Sequence, residues 1–210
     1  MKRELVQDPL DLIVTGVGGQ GNVLASGVLG RAILDTGYTV TVGETYGLSQ
    51  RGGAVMSMVR VTKGEAKGPL IPAHRATAII SLEPLESLRI MNTYGHPDVV
   101  VLTNDRPLPP LNVISGADEY PPLDRLKAAL EETAGRVYWI PATEVAMELG
   151  NPILANVVML GALTAVGLLP VGLAELEETL GQMFPPAKMA ANRQALARGR
   201  ELAVAAAARA

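Results

Sequence analysis

Cysteine is absent from all 210 residues, so the chain can form no disulfide, no thiolate metal site and no iron–sulfur cluster on ligands of its own. Charge is also scarce, at 19% of residues against 48% hydrophobic, and the mean hydropathy is positive at +0.24. That is more apolar surface than a free-standing monomer needs, which predicts a buried partner interface. The formal net charge is -3 and the pI about 5.5, with no basic excess, so a nucleic-acid backbone is excluded as the main partner. No apolar run is long enough for a comfortable bilayer span. The longest, Pro152 to Leu169, is broken by Asn156 and Thr164, and reads as a buried or interface helix. Met1–Pro9 is charged and lacks the apolar core and small-residue cleavage site of a secretion signal, which predicts a cytoplasmic protein.

What is present is an α/β pattern. Leu10–Val14 reads as a buried strand, residues 22–35 as a helix ended by Gly37, and Tyr38–Val42 as a second strand, together a β-α-β unit. Ala54–Val61 reads as a strand exposed on one face. Strands follow at Ala76–Leu82, Asp98–Thr103, near Val113 and at Arg136–Ile140, which carries the only tryptophan. Helices are expected from Glu83-Pro84 to Thr93 and over 122–133, and Asn104–Leu111 is proline-rich and expected as a surface loop. From Thr143 onward Ala, Leu, Met and Glu predict helices at 143–149, 153–166, 173–183 and 187–208. The expectation is a three-layer α/β/α Rossmann-like fold with a mostly parallel sheet. One domain spans 1–210, and 143–210 forms its helical C-terminal part.

Two glycine-rich loops carry the chemical reading. Gly16, Gly18, Gly19, Gln20 and Gly21 sit where the first strand runs into the first helix, so free backbone N–H groups and the helix dipole converge there on a place for an anion. The same glycines also suit a tight turn with no ligand, and Gln20 can bond either a ligand or the neighbouring loop. The second loop runs through Glu44, Tyr46, Ser49, Gln50, Arg51, Gly52 and Gly53. Arg51 is the leading anion contact, since a guanidinium clamps phosphate or carboxylate with paired hydrogen bonds; a salt bridge to Glu44 or to a partner is its plainer alternative. Glu44 follows Gly21 at the distance where a dinucleotide-binding fold places its ribose carboxylate, so an NAD-binding oxidoreductase is the second reading. Ser49 has no histidine beside it, and His74 and His96 lie in turns without metal-ligand spacing, so no nucleophile and no metal site is assigned. Asn156, inside an apolar helix, must find a partner.

Gly16–Gly21 together with the Glu-Thr-Tyr-Gly-Leu-Ser-Gln-Arg-Gly-Gly block at 44–53 resembles the gamma-type subunit or domain of 2-oxoacid:ferredoxin oxidoreductases. The likeness is strongest over 12–61 and extends through Asn156, Leu160-Gly161-Ala162, Leu169-Pro170 and Asn192, for which it implies packing against the glycine loops. Leu196 stands where many members carry phenylalanine, a change expected to alter packing and not chemistry. The resemblance implies a complex that oxidatively decarboxylates a 2-oxoacid to an acyl-CoA and passes electrons to ferredoxin. Thiamine diphosphate, magnesium and [4Fe-4S] clusters would lie in a larger partner subunit, because this chain has neither a Gly-Asp-Gly thiamine signature nor cysteines. For this chain it implies an accessory role, with coenzyme A at the glycine loops and at Asn156, and the separate small-subunit format implies an arylpyruvate such as indolepyruvate as substrate. A scaffold subunit without a small ligand is a third reading.

Overall fold

Leu10–Val17 (β1) is buried along its whole length, as a strand covered on both faces must be. In the computed structural model, which describes residues 4–46, 54–109 and 111–208, it lies near the middle of a six-stranded sheet. The other strands are β2 (Thr39–Tyr46), β3 (Ala54–Thr62), β4 (Ala78–Ser81), β5 (Val100–Asn104) and β6 (Arg136–Ile140), and their order across the sheet is β2-β3-β1-β4-β5-β6. β1, β4, β5 and β6 are parallel, whereas β3 runs antiparallel to both β1 and β2.

The position of β3 refines two expectations. β2 follows β1 through α1 (Asn22–Asp35), but the two strands do not pair, because β3 fills the slot between them. β2 and β3 pair from Thr39↔Thr62 to Tyr46↔Val55, a local antiparallel register that needs no crossover. One face of β3 is the more open, with Ala54 exposed and Met56 and Arg60 half-buried, but Ser57 lies on the other, among the buried Val55, Val59 and Val61, and its Oγ has no partner among the described residues. The strand expected near Val113 is instead one helical turn, α3 (Leu111–Ile114). The 104–111 surface loop also begins one residue too early, because Asn104 is the buried last residue of β5.

The remaining helices fall within a residue or two of their expected places. They are α2 (Pro84–Tyr94), α4 (Leu123–Thr133), α5 (Ala142–Glu148), α6 (Ala155–Ala165, after a 3-10 turn at Pro152–Leu154), α7 (Leu173–Met183) and α8 (Pro186–Ala207). One face of the sheet packs Leu10, Leu12 and Val14 against α1, α6, α7 and α8, and the other packs Ile13, Ile79 and Val101 against Met91 of α2 and Leu130 of α4. α6 is buried at every residue from Ala155 to Thr164, so its lack of a polar face marks a core helix. Among the described residues no helix is long and apolar enough to cross a membrane.

Candidate functional site

The chain leaves β1 and β4 toward opposite faces of the sheet, α1 on one side and α2 on the other. The carboxyl ends of these two strands therefore flank the crevice where an open α/β sheet places its ligands. The first glycine loop is one wall of that crevice. Gln20 N–H donates to Val17 O at 3.2 Å, closing the turn. Gly21 takes φ 83°, a left-handed value that suits glycine, and a Cβ there would stand 2.1 Å from Asn156 Nδ2. α1 then starts at Asn22 with no side chain among the described residues capping its first turn, which leaves the positive end of its dipole at the mouth of the loop.

Gln20 settles into the neighbouring-loop role. Its Oε1 accepts from Val17 N–H at 2.7 Å and its Nε2 donates to Leu82 O at 2.8 Å, so the amide ties the glycine loop to the end of β4, at a carbonyl that has a second partner. That partner is Asn104, whose Nδ2 donates to Leu82 O at 3.2 Å and to Thr143 Oγ1 at 2.9 Å, while its Oδ1 accepts from Thr143 N–H at 3.1 Å. Asn156 Nδ2 donates to Gly21 O at 3.3 Å, so the amide inside the apolar helix braces the loop from below. Asn192 does not join it: its Nδ2 donates to Lys188 O within α8, and Gly161 packs on the backbone of Leu196.

These ties surround a cavity of about 280 Å³ lined by Gly19, Gln20, Leu82, Arg106, Leu108 and Ile153 among others. Its walls are mostly apolar, with the Arg106 side chain on the exposed rim. Three larger clefts, about 760 Å³ beside Arg136 and Trp139, about 640 Å³ beside Leu88 and Asn92 and about 360 Å³ beside Gly172 and Arg200, share no lining residue with the glycine loop. His74 and His96, which border the second of these, bond through their rings to Gly95 O and Ala76 O, and so hold turns together. Of the expected site residues, Gly16, Gly18, Gly19, Gln20, Gly21 and Asn156 thus come together at one crevice. Ser49, Gln50, Arg51, Gly52 and Gly53 lie outside the described residues, and Tyr46 is described only as the last residue of β2. Glu44 pairs in register with Ser57, which in turn pairs with Val14, so it stands two strands from β1, about 10 Å at the usual strand spacing. A dinucleotide fold needs that carboxylate on the strand next to β1, and the geometry here removes the support for the NAD reading.

Arg106, Asn104, Thr143 and Glu83 were not singled out in the sequence as site residues. The available signal was positional: each follows or ends a parallel strand at the edge where ligands bind. Glu83 caps α2, its Oε2 accepting from Glu86 N–H at 2.9 Å, and both glutamates are buried. Burial pushes the Glu86 carboxyl above the ordinary carboxylate range, against the pull of the Arg89 guanidinium at 2.8 Å. A raised folded-state value means that the native protein holds this proton better than the unfolded chain does. The contribution is thus fully present at pH below the unfolded value and is lost as pH rises through the folded one. Glu86→Gln is expected to raise the denaturation midpoint at pH 7 and to match the parent near pH 4; an equal difference at both pH values would refute this.

Comparison with known proteins agrees with the fold. The family model described as pyruvate ferredoxin/flavodoxin oxidoreductase matches residues 11–202. The indolepyruvate oxidoreductase subunit IorB of Thermococcus kodakarensis is 39% identical, covering 90% of this chain and 93% of that protein. The 2-oxoglutarate synthase subunit KorC of Methanothermobacter marburgensis is 31% identical, covering 91% and 95%. In structure, the pyruvate oxidoreductase subunit PORC of Thermotoga maritima superposes with a TM-score of 0.70 at 22% identity, over 93% of this chain and 97% of that one. The 2-oxoglutarate:ferredoxin oxidoreductase of Magnetococcus marinus gives a TM-score of 0.73 at 22% identity, over 95% of this chain but 32% of that one, so the same fold occurs there as part of a longer chain. With the model match spanning nearly its whole length and the IorB subunits as homologues, the chain belongs to the pyruvate ferredoxin/flavodoxin oxidoreductase family.

Proposed function

We propose that this chain is the small, thiamine-free and cluster-free subunit of an arylpyruvate:ferredoxin oxidoreductase, and that its glycine loops help hold coenzyme A, the acyl acceptor. The observation that carries the ligand reading is the crevice itself: a cavity of about 280 Å³, mostly apolar, at the strand carboxyl ends, between Arg106 and a helix N-terminus that no described side chain caps. An elongated arm ending in phosphates suits that combination, with the arm in the cavity and the negative charge toward α1 and Arg106; Arg51, outside the described residues, is the further anion contact that the sequence offers. The Magnetococcus marinus enzyme was solved with 2-oxoglutarate, coenzyme A and succinyl-CoA bound, which supports the class of acceptor. Indolepyruvate is the substrate named for relatives at 35–39% identity, against 31% for a 2-oxoglutarate enzyme, which supports an aromatic oxoacid.

In this reading the bond chemistry lies elsewhere. A cysteine-free chain cannot ligate the clusters that would carry electrons to ferredoxin, so a larger thiamine- and iron–sulfur-binding subunit is the required partner. The contribution of this chain is to place the acceptor thiol and fix its phosphates, which lowers the barrier through orientation. The low charge content and positive mean hydropathy fit a surface covered by that partner, in the cytoplasm.

Arg51→Ala in the reconstituted complex tests the proposal. The expected result is a rise of about tenfold in KM for coenzyme A, the worth of a charge-assisted contact, with the complex intact and the oxoacid KM unchanged. Dissociation of the complex would instead support a scaffold role, and an unchanged enzyme would remove Arg51 from the site.

A further inference from the structure

Glu83 plays no part in the ligand contacts proposed above, yet its carboxylate reaches three segments at once. It is 1% exposed. Oε2 accepts from Glu86 N–H and caps α2, while Oε1 accepts from Leu108 N–H at 3.2 Å and from the Tyr120 hydroxyl. Capping alone is done as well by the shorter side chains of serine, threonine or asparagine, without burying a carboxylate. The longer side chain does what those cannot: it spans from the end of β4 to the connection between β5 and α4. Leu108 lies in that connection and lines the 280 Å³ cavity together with Arg106 and Pro107. Glu83 also follows Leu82, whose carbonyl is held by Gln20 and Asn104, so two adjacent residues anchor the glycine loop and the facing wall to one point of the sheet.

We propose that Glu83 is the positioning residue of this cavity: by holding Leu108 N–H and the Tyr120 hydroxyl on one carboxylate oxygen, it sets the separation between the Arg106–Leu108 wall and the glycine loop, and with it the affinity for coenzyme A. The inference rests on the reading of the cavity as the acceptor site. Tyr120 suits the role of permanent donor, since burial first and the Glu83 carboxylate second push its hydroxyl well above the ordinary tyrosine range. At any physiological pH the phenol keeps its proton, and the bond to Glu83 stays in place.

Tyr120→Phe removes one hydroxyl and keeps the ring, and Glu83→Ala removes the whole anchor. Both are to be assayed in the reconstituted complex by size exclusion, by calorimetric titration with coenzyme A, and by steady-state kinetics with indolepyruvate and viologen. Expected for Tyr120→Phe is a three- to tenfold weaker coenzyme A affinity, roughly one charge-assisted hydrogen bond, with kcat and the oxoacid KM within about twofold of the parent. Glu83→Ala should weaken it further, and if that variant does not assemble, Tyr120→Phe decides. A lower melting temperature with unchanged coenzyme A affinity would overturn the proposal by reducing Glu83 to a structural cap. If Arg51→Ala weakens coenzyme A binding and Tyr120→Phe does not, the positioning role falls and the acceptor site stands. If calorimetry finds no coenzyme A binding even to the parent complex, the acceptor site itself falls.

Discussion

Asp11→Ala is expected to cost about 3–5 kcal/mol of stability, the usual penalty for stripping one partner from a buried ion pair. Arg60 Nε donates to Asp11 Oδ1 at 2.8 Å and Nη2 to Oδ2 at 3.2 Å, a paired geometry with the two side chains only 11% and 3% exposed. The remaining guanidinium nitrogen, Nη1, donates to Gly68 O at 3.0 Å and Leu70 O at 2.9 Å, which draws the segment after β3 over the sheet face that α2 leaves open. Removing the carboxylate strands a cation between β1, β3 and that segment, with only two carbonyls to hold it. An apolar replacement of both partners should behave differently, because no charge is then buried. Asp11→Ala/Arg60→Met is therefore expected to recover at least half of the loss, the remainder reflecting the donors withdrawn from Gly68 and Leu70. Urea denaturation of parent, single and double variants measures this, and a single variant within about 1 kcal/mol of the parent, the scale of an exposed pair, would show the pair to be solvated.

Asp11 and Arg60 also show where sequence reading stops. Both residues were visible inside apolar strands, but they are 49 positions apart, and nothing local says that β3 lies against β1. The same gap hid the insertion of β3 into the β-α-β unit: periodicity finds a strand, whereas its neighbours depend on a pairing choice made over the whole sheet. Local signals did better. The glycine loop, the start of α1 at Asn22 and its end at Gly37, whose N–H donates to Leu34 O, follow from backbone rules within a few residues. Asn156 was legible for a different reason, since an amide in an all-apolar helix creates a demand that the fold must meet, and Gly21 O meets it. Val113 failed because β-branched residues near a proline-rich stretch read as strand, and tertiary context overrides so short a pattern. Pro84 marked Glu83 as the opening of a helix, but the bonds of its carboxylate to Leu108 and Tyr120 depend on residues that come 25 and 37 positions later.

Gly199→Ala sets two magnitudes against each other. Alanine is the better helix former by about 1 kcal/mol, and α8 would gain that much if the methyl group had room. It has none: a Cβ at Gly199 would stand 1.9 Å from Val158 O and 3.0 Å from Ala162 N, and one at Gly161 would stand 2.1 Å from Leu196 O. Both obstacles are backbone, so no side chain can turn aside, and α6 and α8 must move apart along the seam that the two glycines form. Overpacking of this kind costs up to about 3 kcal/mol or more, which outweighs the helix gain, so the variant is expected to lose about 2 kcal/mol or more net. Gly27→Ala on α1, where a Cβ would meet nothing within 4 Å, isolates the helix gain and should stabilise by up to about 1 kcal/mol. The displacement has a functional readout as well. Asn156 rides on the first turn of α6 and holds Gly21 O, so separating α6 from α8 loosens the glycine loop from below. Weaker coenzyme A binding by the Gly199→Ala complex, with the partner subunit still attached, is the expected consequence. Equal denaturation midpoints for Gly199→Ala and the parent would mean that the two helices do not cross this closely, and the bracing of the loop by Asn156 would then need another explanation.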